Sequence, residues 1–147
     1  MLDFFTGRSN RQEYWISVGL LVVVALALNY FNMQAASAAI TIMWIITWVR
    51  RLHDVGMPSW YAAVPILLLL ALVFAAFALG GDQFQKVLLA IQSNDMKSIP
   101  DSSAYLFMGV VLAGLIIQFG FTIWLGAKAG DKGNNKFGPP PGTAPRG

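Results

Sequence analysis

The chain has 147 residues, 56% of them hydrophobic and 12% charged, with a formal charge of +3 and no cysteine. The lack of cysteine excludes disulfides, thiolate metal sites and a cysteine nucleophile, and the single histidine excludes a multi-histidine metal site within one chain. A water-soluble domain this small would expose a large apolar surface and aggregate, so a mean hydropathy of +0.60 points to lipid as the solvent.

Crossing a hydrocarbon core takes about 20 mostly apolar residues. The first such run extends from Tyr14 to Phe31. It follows "SNRQE", where either Ser9 with Gln12 or Asn10 with Glu13 has capping-box spacing. The second, Ala35 to Val49, is short and reaches span length only if helix continues towards His53, giving a span of about 35–52. Gly56 and Pro58 end it, and Ser59 is placed to cap the third run, Trp60 to Leu79. Pro65 removes a backbone bond from that third helix and predicts a kink. In the long connection over 81–103, Phe84, Val87, Leu88 and Ile91 have i, i+3, i+4, i+7 spacing. This predicts a short helix, either lying on the outer membrane face or packed as an ordinary loop helix. The fourth run is Ala104 to Ala127. None of the four cores holds Asp, Glu, Lys, Arg or His, and open backbone is not tolerated in lipid. The expected fold is therefore an all-α membrane protein with four transmembrane helices in one domain over residues 1–136. A flexible Pro/Gly-rich tail, "FGPPPGTAPRG", follows over 137–147.

Orientation follows from Lys and Arg in the connections. Arg8 and Arg11 precede the first span, and Arg50 and Arg51 lie between the second and third. Lys128, Lys132, Lys136 and Arg146 follow the fourth. With four spans, eight of the ten basic residues fall on one side, which predicts that both termini are cytoplasmic. Trp15, Trp48, Trp60 and Trp124 fall at the same ends of their spans, with Tyr30 and Tyr105 at the opposite ends, as an aromatic belt requires. "ASA" at 36–38 fits a signal-peptidase site, but the stretch before it is long and aromatic-rich for a signal peptide.

Three blocks carry a resemblance: "FFTGRSNRQEYW" at 4–15, "RRLHDVGMPSW" at 50–60 and "GDKGNNKFGPPP" at 130–141. Together they resemble the bacterial inner-membrane proteins grouped as domain of unknown function 805. The matching positions in the first block are Phe5, Gly7, Arg8, Arg11, Glu13, Tyr14 and Trp15. The second block supplies Arg51, Leu52, His53, Asp54, Gly56 and Trp60, and the third Gly130, Gly133, Asn135, Phe137, Gly138 and Pro141. The turn departs from the family pattern at Pro58-Ser59, where Ser-Gly is usual, and the 81–103 connection is unusually long. The resemblance implies a bacterial inner-membrane protein of about four spans and no known reaction.

The expected topology gathers Arg8, Arg11, Glu13, Arg50, Arg51, His53, Asp54, Asp131, Asn134 and Asn135 on one cytoplasmic face. Such a cluster has three uses. In a structural use, Arg8 or Arg11 pairs with Asp54 or Asp131 and closes the bundle. In a recognition use, the arginines and the glycine-rich third block bind anionic lipid headgroups or a partner protein. An enzymatic use would rest on His53 and Asp54, but adjacent helical residues point about 100° apart, and no metal-ligand spacing or serine-nucleophile motif accompanies them. Transport groups normally sit inside the spans. Here the fourth span holds only Gln118 and Thr122, which suit interhelical hydrogen bonds, and Gly109 with Ala113 suits close packing. The leading reading is a non-enzymatic membrane component whose polar face binds anionic lipid or a partner protein, without cofactor, metal or nucleic acid. A small transporter or channel subunit is the runner-up, a membrane enzyme stands third, and homo-oligomerisation stays open.

Overall fold

The computed structural model describes residues 7–33, 36–95, 97 and 99–142. Phe5, Ala35, Arg146 and the end of the Pro/Gly-rich tail lie outside them. Among the described residues the chain forms five α-helices: α1 (Arg11–Tyr30), α2 (Ser37–Asp54), α3 (Ala63–Gly80), α4 (Asp82–Gln92) and α5 (Asp101–Ala127). A 3-10 turn, Ser59–Ala62, leads into α3. Pro65 therefore falls in the first turn of α3, where its missing N–H is least disruptive, rather than kinking the helix deeper in.

Short polar residues set the helix ends. Asn10, not Ser9, caps α1: its side-chain oxygen accepts from Glu13 N at 2.8 Å, and the Glu13 carboxylate accepts from Asn10 N at 3.3 Å. Helices α1, α2 and α4 close in the same way. A left-handed residue follows each C-cap: Asn32, Gly56 and Asn94, with φ of 54°, 72° and 56°. The next N–H then reaches back five residues, from Met33 to Leu28 O, Met57 to Leu52 O and Asp95 to Ala90 O, at 2.8, 2.8 and 2.9 Å. This is the Schellman motif, and it satisfies carbonyls that would otherwise be orphaned.

The chain divides into two compact units. The first comprises residues up to 62 together with those from 122 onward. Its core is Tyr14, Val18, Leu21, Trp48, Leu52 and Leu125. Trp48 was expected in the interfacial belt, but it is buried, and its indole N–H donates to Thr122 Oγ1 at 3.2 Å. Trp15, Trp60 and Trp124 do stay exposed.

The second unit spans residues 63–121. Helix α4 exists as its periodicity predicts and packs on α3, with Phe84 edge-on to Phe77 at a centroid distance of 4.7 Å. Its buried seam is Phe84, Val87 and Ala90, while Leu88 and Ile91 face outward. Helices approach closely in this unit at Gly80, where an added Cβ would lie 2.6 Å from Leu106, and at Gly114, where it would lie 3.3 Å from Leu69. At Gly109 it would meet nothing within 4 Å.

Three helical stretches are long and apolar enough to cross a membrane: Arg11–Tyr30, Ser59–Gly80 and Asp101–Ala127. Their large apolar side chains are mostly outward, Leu20, Phe74 and Ile116 among them, which suits lipid and not water. Helix α2, the expected fourth span, is not among the three. It is 18 residues long, and Arg50, Arg51 and Asp54 occupy its last turns, which cuts its apolar part off at Val49.

Candidate functional site

The polar residues of the first unit converge on Asp54, the last residue of α2. Its carboxylate is shared by two arginines. Arg8 donates to Oδ1 from Nε and Nη2, at 3.2 and 3.1 Å, and Arg51 donates to Oδ2 from Nη1 at 2.5 Å. All three side chains are at least 95% buried. Two guanidiniums against one carboxylate leave a formal charge of +1 in this interior. Backbone carbonyls meet it. Arg8 Nη1 donates to Gly133 O and Gly138 O at 2.8 and 3.1 Å, and Nη2 donates to Asp131 O. Together with Asp54 these contacts occupy all five N–H donors of Arg8. Arg51 donates to Ser9 O at 3.2 Å, Leu125 O at 3.4 Å and Lys128 O at 2.5 Å.

The C-terminal end of α5 is the other half of the site. The last carbonyls of a helix have no partners of their own and carry its negative dipole end. Here Tyr14 OH donates to Thr122 O at 2.9 Å, Arg51 takes Leu125 O, and Arg11 takes Ala127 O at 2.5 Å. Arginines are suited to this place because cations favour a helix C-terminus. The packing is tight. At Gly126 an added Cβ would come within 2.5 Å of the Trp15 ring, and at Gly130 it would overlap the Asp54 carboxylate.

The third block wraps this core. Asp131 N donates to Asp54 O at 2.7 Å. Asn135 Nδ2 bridges His53 O and Asp131 Oδ2, both at 2.9 Å, and Asn135 Oδ1 accepts from Phe137 N at 2.9 Å. Phe137 lies flat on the His53 ring, 3.9 Å away and 11° from parallel. Phe137, through the His53 ring, and Gly138, through its carbonyl on Arg8, are thereby fastened to the cluster.

Among the expected face residues, Arg8, Arg51, His53 and Asp54 are buried, and Asn135 and Arg50 are half-buried. Arg11, Glu13, Asp131 and Asn134 are exposed. Glu13 acts in the α1 cap. His53 and Asp54 point apart, as adjacent helical residues should: His53 Nε2 lies 2.7 Å from Ser59 Oγ, while Asp54 serves the arginines. Among the described residues no group of three or more His, Cys, Asp or Glu could hold a metal ion. Sequence reasoning left open whether Arg8 or Arg11 pairs with Asp54 or Asp131, and the structure pairs Arg8, together with Arg51, with Asp54; it read Thr122 as an interhelical hydrogen-bonding group, and Trp48 donates to it. That reading did not anticipate that backbone carbonyls would take most of the arginine donors. The one signal for that was Gly130 in the third block, beside Asp131, where a residue without Cβ lets the chain approach a carboxylate.

No curated protein and no solved structure is similar to the chain. The family described as "Protein of unknown function (DUF805)" matches residues 3–139, which takes in the first two blocks and the third as far as Pro139, and the chain belongs to that family.

Proposed function

We propose that the protein is a non-enzymatic component of the bacterial inner membrane with four spans, both termini in the cytoplasm, and a cytoplasmic rim that engages anionic lipid headgroups. The observation that carries this reading is the buried Arg8–Asp54–Arg51 triad. It removes Arg51 and Asp54 from the charge that α2 shows to lipid. All 18 residues of α2 then contribute about 27 Å of helix, close to the ~30 Å hydrocarbon thickness. The triad also separates two kinds of basic residue. Arg8 has no donor left for a ligand, whereas Arg11, Lys132 and Lys136 are exposed on the same unit. Lys128 Nζ stands 4.5 Å above the Trp124 ring, a cation and an aromatic side by side as at a membrane interface. Recognition therefore passes from the buried arginines to this rim, at about 1 kcal/mol per basic residue near an anionic surface.

The native chain has no cysteine, so single cysteines report topology directly. Phe31→Cys, Gln92→Cys and Asn134→Cys are treated with a membrane-impermeant maleimide on intact cells whose outer membrane has been permeabilised. Four spans predict labelling of the first two and protection of the third until lysis. If α2 does not cross, Gln92→Cys is protected and Asn134→Cys is labelled, and the proposal fails.

A further inference from the structure

Helix α4 follows α3 after a single residue. Gly81, with φ 53° and ψ −131°, turns the chain so that α4 folds back on the last turns of α3, with Phe84 against Phe77. The 18 residues of α3 are about 27 Å long, close to the ~30 Å of a hydrocarbon core. A span of that length brings Gly80, and with it the start of α4, to the boundary between acyl chains and headgroups.

At about 100° per residue, α4 sorts into two sides. Phe84, Val87, Leu88, Ala90 and Ile91 share one arc of about 160°, with Gln83 at the start of the helix the one polar residue on it. Phe84, Val87 and Ala90 are buried within the second unit, but Leu88 and Ile91 continue the same arc and are 39% and 41% exposed. The other side holds Asp82, Gln85, Lys86 and Gln92, all exposed, with Leu89 as its one apolar member. The apolar arc of α4 is thus wider than the seam that the protein covers. Its uncovered flank is continuous with the outward apolar surface of α3, since the Phe77 ring that meets Phe84 is itself 44% exposed.

We propose that α4 lies along the acyl–headgroup boundary of the outer leaflet, with Leu88 and Ile91 against acyl chains and the Asp82–Lys86 side in water. This placement rests on the membrane reading above and adds a second lipid contact of different chemistry from the cytoplasmic rim. A helix lying in the interface is held by its apolar face and by attraction of its charges to anionic lipid. Here the second contribution is absent: Lys86 pairs with Asp82 at 2.5 Å, and α4 has no other charged residue. The attachment is therefore apolar and indifferent to headgroup charge.

The full chain has no native cysteine and is spin-labelled at single cysteines in vesicles of phosphatidylcholine, with and without phosphatidylglycerol. Collisions with oxygen, which concentrates in lipid, and with a neutral water-soluble nickel chelate report the surroundings of each label. Leu88→Cys and Ile91→Cys are expected to favour oxygen and Gln85→Cys the nickel chelate, in both vesicles alike. Nickel access at Leu88→Cys and Ile91→Cys equal to that at Gln85→Cys would place the flank in water. Protection of both from both reagents would mean that protein, such as a second copy of the chain, covers it. An oxygen preference that appears only with phosphatidylglycerol would mean that charge holds the helix. Each of these three results overturns the proposal. Leu70→Cys, at an exposed position in the middle of α3, tests the membrane reading separately. Its label should favour oxygen wherever α4 lies, and free nickel access there would overturn the membrane reading itself.

Discussion

Asp54→Asn is the sharpest perturbation of the polar cluster. It keeps the shape of the side chain and removes the one negative charge that Arg8 and Arg51 share, raising the formal charge of the cluster from +1 to +2. Both guanidiniums are about 1% exposed, so water cannot take over the role of the carboxylate. Removing one partner of a buried ion pair destabilises by about 3–5 kcal/mol, mostly because the remaining charge is left buried and uncompensated. In SDS titration from mixed micelles this corresponds to a shift of about two to four orders of magnitude in the unfolding equilibrium. Trp48 supplies the signal, being buried in the same unit. The combination Arg8→Gln with Asp54→Asn returns the formal charge to +1. It should therefore be less destabilising than the sum of the single variants, with a coupling of about 0.5–3 kcal/mol. Arg11→Gln is the control, since its guanidinium makes a carbonyl contact from an exposed position, and about 1 kcal/mol or less is expected. An effect of Asp54→Asn no larger than that of Arg11→Gln, or strict additivity in the double variant, would refute the buried triad.

Two further outcomes test neighbouring features. Gly126→Ala places a methyl group 2.5 Å from the Trp15 ring and 2.9 Å from the Tyr14 ring, and about 1–3 kcal/mol of destabilisation is expected in the same titration, whereas Gly109→Ala, with open space around it, should be near neutral. At the surface, the Lys86 ammonium hydrogen-bonds the Asp82 carboxylate at 2.5 Å, and that bond, then its charge, hold the carboxyl below its ordinary 3.8. A carboxyl lowered on folding stabilises above its unfolded value and loses that contribution as pH falls through its folded value. Lys86→Gln should therefore raise the Asp82 titration midpoint, measured by NMR, towards the ordinary carboxylate value, and an unchanged midpoint would show that the pair does not form in solution.

The apolar helices were legible in the sequence because lipid imposes a simple rule: a run of apolar residues long enough to cross must hydrogen-bond to itself. Local chemistry was legible for the same kind of reason. The capping box needs only Asn10 and Glu13 three apart, and the close of α2 needs only a Gly where φ is positive. The sequence also singled out Arg8, Arg51 and Asp54, since charges are conspicuous in so apolar a chain. What it could not decide was which of the basic residues face water. Arg8 and Arg11 are three apart on a short segment, yet one is buried with five donors satisfied and the other is exposed, a difference set by where residues 131–138 return. Trp48 shows the same limit. Its place near the end of an apolar run fits an interfacial belt, but packing against Thr122, 74 residues away, puts it in the core. Periodicity and charge reach only a few turns along the chain. The partners of the Asp54 cluster are carbonyls brought from 42 to 130 residues away, and only the tertiary structure, through the space left at Gly130 and the end of α5, decides which of them arrive.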